Sequence, residues 1–218
     1  MRILRQTFLG IKSGGWSAWL PVPIVMFVEP MLAFRILDLC KEQGGGLENV
    51  NILLQQLLPI LSIWWIFILL QDAVDGNGKE ILSFYDPGRS RLLLLCVVAF
   101  TSFCILTMFS ILLLGFYIRG LAWTFAELMM QSLCFSGIYL LLCALFHRTG
   151  VCLVVMMLYY IVTCFMNTSL LPFVRHLNIF DFMQAEDIQH FLSRTIYIGL
   201  VGLFAWIFSA LLWKKEKM

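Results

Sequence analysis

Apolar residues run along this chain in long blocks, with polar ones gathered between them. That spacing fits neither the two-residue period of a half-buried strand nor the single stripe of a surface helix. Six blocks are long enough for a hydrocarbon core of about 30 Å, which takes about 20 residues of helix to cross. They span residues 16–37, 52–71, 92–114, 121–146, 151–171 and 195–213. In lipid every backbone N–H and C=O must pair within its own segment, so such blocks fold as helices. The pattern predicts an all-α integral membrane protein with six transmembrane helices. It forms one domain over 1–218, because the connections are too short for a second domain of about 50 residues or more.

The interruptions are as informative as the blocks. Pro21, Pro23, Glu29 and Pro30 predict an irregular first span, and Pro59 a bend in the second. Gly115, Arg119 and Gly120 leave room only for a tight interfacial turn, so the third and fourth spans form a hairpin. Ahead of the first span, Ile3, Leu4, Phe8 and Ile11 gather on one side of a helix, with Arg5 and Lys12 elsewhere. This predicts a short amphipathic helix in the headgroup layer. The broken apolar run there, with no small-residue cleavage pattern after it, argues against a cleaved signal peptide. Residues 172–194 carry too much charge to cross lipid and predict amphipathic helices at the surface.

Composition narrows the solvent. The chain is 61% hydrophobic and 13% charged, where soluble domains have about 45–50% and about 25%. A globule of this makeup lacks the charged surface to stay in water. A net charge of +2, with no basic run interleaved with aromatics, gives no nucleic-acid footprint. With the N-terminus inside, ten of the fifteen Lys and Arg fall on the inner side and five, Arg35, Lys41, Arg119, Arg175 and Arg194, on the outer. The positive-inside rule then places both termini in the cytoplasm of a multi-pass plasma-membrane protein. The compact size and short loops suggest a bacterial membrane.

Seven cysteines stand singly, without a CxxC pair, six of them in apolar stretches. They read as small apolar side chains and not as a disulfide frame or metal site. His147, His176 and His190 stand at no zinc-ligand spacing. Ser136 and His147 invite comparison with a serine–histidine pair, but eleven residues of helix put them about 16 Å apart. Two carboxylates, Glu29 and Glu127, fall inside apolar blocks. Charge there is costly, which makes both candidates for pathway or gating contacts. Arg119 lies where it would meet Glu127 across the hairpin, whereas Arg35, six residues past Glu29, is not on an adjacent turn.

One connection does more than turn the chain. Between the second and third spans, on the cytoplasmic side, the sequence reads DGNGKEILSFYDPGRSR. Helix formers over 79–84 carry Ile81, Leu82 and Phe84, with Gly76 and Gly78 before them and Pro87 and Gly88 after. A short helix held in the cytoplasm with an apolar side is a surface for another protein. Here the chain resembles the permease subunits of type-2 ABC exporters. After their second span these carry a glycine, a Glu, a Leu, a Pro and then Arg leading into the third. Gly78, Glu80, Leu82, Pro87, Arg89 and Arg91 follow that order, with Gly88 as an extra residue after Pro87. The amphipathic N-terminal helix, the six spans and the inward termini extend the resemblance over nearly the whole length.

The resemblance implies that this stretch, with Ile81 and Phe84, is a coupling helix seated on a separate ATPase subunit dimer. It also implies a translocation pathway formed with a second permease copy, identical or related. ATP and Mg would be bound by the partner, since the chain has no GxxxxGK[ST] phosphate loop, and this chain would bind no cofactor and catalyse no reaction. Two other classes compete. A non-transporting scaffold, such as an accessory or immunity factor, shares everything but the need for a coupling segment. An intramembrane enzyme would need a convergent polar cluster.

Overall fold

A computed structural model describes residues 2–40, 45–76, 90–117, 121–165 and 188–215. Every secondary-structure element among the described residues is helical. We label them α1 (Arg2–Ser13), α2 (Gly15–Leu39), α3 (Gly46–Asp75), α4 (Ser90–Gly115), α5 (Leu121–Phe146), α6 (Thr149–Phe165) and α7 (Ile188–Lys215). Within these, five stretches are long and apolar enough to cross a membrane. The chain is thus an all-α, multi-pass membrane protein. The fifth block of the sequence is seen as α6, a 17-residue apolar helix, and its expected continuation to 171 lies outside the described residues.

Burial separates centre from rim. In α3 and in α5 61% of the spanning window is buried, against 22–33% in α2, α4 and α7. The two central helices pack against each other, α5 also carries α7 along another face, and α2 and α4 lie on α3. The outer faces present Phe27, Met31, Ile105, Phe109, Phe204 and Leu211, the side chains that lipid solvates without cost.

The prolines act where expected. α2 is no single α-helix. It opens with a 3-10 turn, Gly15–Trp19, passes through Pro21–Pro23 and a π turn, Ile24–Val28, and becomes regular only from Glu29 to Leu39. α3 is α-helical to Ser62, three residues short of which Pro59 withdraws a backbone donor. The chain steps through Ile63, whose N–H bonds the Ile60 carbonyl, resumes over Trp64–Leu70 and ends in a π turn, Gln71–Asp75. Consecutive tryptophans just past the step stitch the two irregular helices together. Trp64 Nε1 donates to the Ser17 carbonyl at 2.8 Å and Trp65 Nε1 to the Ala18 carbonyl at 2.7 Å. The Ser17 carbonyl, which also accepts the Leu20 N–H, and the Ala18 carbonyl are thereby tied to α3.

The predicted N-terminal helix is present as α1. Of the four apolar residues expected on one side, Ile11 is buried and the side chains of Ile3, Leu4 and Phe8 lie outside the described ones; Thr7 is buried as well, while Leu9 and Lys12 are exposed. It packs on α3 and α4. A Cβ on Gly10 would come within 2.7 Å of the Leu69 side chain, and one on Gly14 within 2.8 Å of Ile68. Contact with the protein, as well as any with lipid, therefore holds this helix.

Candidate functional site

Polar side chains inside the bundle collect in two places. The first is a seam between α3 and α5. Asn51, Gln55 and Ser62 recur on one face of α3, and Thr124, Glu127 and Gln131 on the facing side of α5. Thr124 Oγ1 bonds Asn51 Oδ1 at 3.1 Å. One turn deeper, Glu127 Oε1 accepts two amide donors, Gln55 Nε2 and Gln131 Nε2, each at 3.1 Å. Deeper again, Ser62 Oγ donates to the Pro59 carbonyl at 2.6 Å. Glu127 and both glutamines are buried, so in this low-dielectric setting each bond substitutes for water that is absent.

The second is Glu29, at the junction of the π turn and the regular part of α2. Its residue exposure is 0%. Ser110 of α4 donates to Oε1 at 3.3 Å, while Oε2 has no hydrogen-bond partner among the described residues. Neighbouring Arg35 is exposed and Asp38 lies in the last turn of α2. An unaccompanied carboxyl oxygen in a bilayer-spanning core is the costliest polar feature in the molecule.

At the C-terminal end of α3 a third arrangement is structural in character. Asp75 Oδ2 accepts the Thr149 backbone N–H at 3.0 Å and also the Thr149 hydroxyl. A carboxylate at the first turn of α6 meets the unpaired N–H groups and the positive end of the helix dipole. The link fixes the exit of α3 to the entry of α6, across a turn in which His147 adopts a left-handed φ of 52°. Val74, Asp75, His147, Arg148, Gly150 and Val151 line an open cleft there.

The residues foreseen in the sequence distribute as follows. Glu29 and Glu127 are both buried between helices. Gly78, Glu80, Ile81, Leu82, Phe84, Pro87 and Arg89 lie outside the described residues, as does Arg119, the cation expected beside Glu127. Arg91 is exposed in the first turn of α4. Ser136 accepts from Trp206 Nε1 at 3.2 Å and donates to the Leu133 carbonyl at 3.1 Å, so its hydroxyl serves helix packing. The cysteines whose side chains are described, Cys40, Cys96, Cys104, Cys134, Cys143 and Cys152, are free thiols. Among the described residues no three His, Cys, Asp or Glu side chains gather as a metal site. Sequence reasoning missed the amides: Gln55 and Gln131 are the partners of Glu127, and the signal was available in their spacing, Asn51 to Gln55 and Glu127 to Gln131, each four residues apart.

Set against known proteins, the chain matches no family model, no curated protein and no solved structure.

Proposed function

We propose that this chain is the membrane-spanning permease subunit of an ATP-driven exporter of the type-2 ABC kind, and that residues 75–91 couple it to a separate ATPase subunit dimer. In this reading the bundle has six crossings, α6 and its continuation supplying the fifth, and both termini lie in the cytoplasm of a bacterial plasma membrane. Two copies of the chain, or this chain and a relative, enclose the pathway. ATP and Mg are bound by the partner. Gly78, Glu80, Ile81, Leu82, Phe84, Pro87, Arg89 and Arg91 form or flank the docking surface, and Glu29 and Glu127 are the polar contacts within the bundle.

The observation that carries the reading is the segment itself, whose residues follow the coupling-helix order between two apolar spans. Its anchorage gives further support. The segment leaves α3 through a π turn, and Asp75, at the last position of that turn, is clasped to the N-terminus of α6. A push on the segment is thereby delivered to two helices at once, one of them central in the bundle. Helices packed as α3 and α5 are shift as bodies and do not deform smoothly, which is what an ATPase-driven rocking motion requires.

The test is ATP turnover. The chain is reconstituted with whatever nucleotide-binding protein co-purifies with it in mild detergent, and turnover is compared between the native segment and a Leu82→Asp, Phe84→Asp variant. The permease reading expects turnover in lipid that falls at least about tenfold in the variant, since losing two apolar contacts at an interface costs more than about 1.4 kcal/mol. Turnover indifferent to the segment would favour the scaffold.

A further inference from the structure

We infer that the Glu29 carboxylate, the Ser110 hydroxyl and the Val25 backbone carbonyl form a binding site for one small monovalent cation, sodium. The inference does not depend on an ATPase partner.

It begins with the backbone. The Glu29 N–H reaches back five residues to the Ile24 carbonyl, which is what makes 24–28 a π turn. In a regular α-helix that N–H would bond Val25, and in a continued π register Val25 would be served by residue 30. Residue 30 is proline, which has no N–H. The Val25 carbonyl is thus left without the helical donor of either register, in a residue of 0% exposure. π turns of this kind collect at functional positions, and carbonyls freed from broken membrane helices serve as cation ligands.

The side chains bring negative charge to the same spot. Residues 25 and 29 share a helix face, and both are fully buried. A long helical side chain leans over the turn N-terminal to its own Cα, which carries the Glu29 carboxylate toward the Val25 carbonyl. Ser110 approaches from α4 at 3.3 Å from Oε1, and Oε2 is open. Among the described residues the two helices that hold the site bring no basic side chain to it: α2 has only Arg35, which is exposed, and α4 only Arg91, in its first turn. Once ionised, the carboxyl group offers one negative charge among oxygen donors, with no counter-ion on the described residues of α2 and α4.

Those properties select the occupant. With Glu29 wholly enclosed there is no opening for an organic amine. Calcium takes 6–8 oxygens and magnesium keeps much of its water, so one carboxylate in a dry core suits neither. A hard monovalent ion matches the charge and the donor type.

The full chain, purified in detergent micelles, is unfolded thermally while tryptophan fluorescence is followed, in sodium chloride or in choline chloride of equal ionic strength. Sodium should raise the midpoint saturably, because a ligand that binds only the folded state stabilises it by mass action. Ser110→Ala should shift the sodium response to about tenfold higher concentration, the worth of one hydrogen bond to a charged group. Glu29→Gln should abolish it. Should that variant fold poorly, the native chain still decides, because sodium at constant pH should slow modification of Glu29 by a membrane-permeant carbodiimide. Equal midpoints in the two salts would overturn the proposal. So would carbodiimide labelling that pH alters and sodium does not, which would make Glu29 a proton site only.

Discussion

Helix α5 meets two neighbours by opposite means. Toward α7 it offers Cys134, Gly137 and Ser136, and α7 answers with Gly199, Gly202 and Ala205. A Cβ on Gly202 would lie 2.6 Å from the Cys134 Cα, and one on Gly137 would lie 2.5 Å from the Gly202 carbonyl oxygen. Toward α3 it offers Thr124 and Glu127, which meet Asn51 and Gln55 through hydrogen bonds of 3.1 Å, while Gln131 braces Glu127 from within α5 at 3.1 Å. Lipid tails are as apolar as the helices, so burying apolar surface does little to drive helix association in a bilayer. Close backbone approach and interhelical hydrogen bonds are the two means that remain, and this one helix uses a different one on each side. The first tolerates no displacement. The second can exchange partners, which suits the face on which a moving bundle would rearrange.

The contrast is sharpest under substitution. Gly202→Val should have the largest effect, because its new atoms overlap backbone that cannot swing aside. A cost of about 3 kcal/mol or more is expected, seen as loss of a monodisperse peak in gel filtration. Gly150→Ala, where nothing lies within 4 Å of the added carbon, should leave the peak unchanged. Next comes Glu127→Ala, which strands the Gln55 and Gln131 amide donors. It should lower stability by about 2 kcal/mol, with Glu127→Gln milder, both read from thermal unfolding in detergent. Trp65→Phe keeps the ring's bulk but loses the bond to Ala18, at a cost of about 1 kcal/mol. Smallest is Asp75→Ala. Losing the carboxylate at the start of α6 should cost about 1 kcal/mol or less and speed amide exchange in its first turn, leaving α5 and α7 unchanged. A polar seam as intolerant of change as the glycine seam would erase the distinction.

Much of this frame was legible in the chain. The third and fourth blocks, 92–114 and 121–146, fall within a residue or two of α4 and α5, because nothing but lipid-compatible side chains lies between their polar ends. The second block begins six residues late. The turn holding Glu48 and Asn49 is polar and falls outside the apolar block, yet the helix starts at Gly46, since a helix can extend past the hydrocarbon with its polar side chains in the headgroup region. The prolines announced irregularity in α2 but not its form. Whether a proline is met by a kink, a 3-10 step or a π turn depends on which neighbours can take up the freed carbonyls. The partners of Glu127 were hidden for a similar reason. The amide on α3 came into view only once α3 and α5 were brought face to face, whereas Gln131 stands one turn along from Glu127 on the same helix, and Arg119, the cation expected from the next loop, lies outside the described residues.

The central claim is that the segment between α3 and α4 docks an ATPase. It is tested most directly by purifying the tagged chain in mild detergent beside a Glu80→Lys, Leu82→Asp variant, and identifying what accompanies each in stoichiometric amount. The account predicts a nucleotide-binding protein with the native chain and its loss from the variant, while the variant keeps the native unfolding midpoint. A native chain that emerges with no nucleotide-binding protein, or a variant that retains one undiminished, would contradict it.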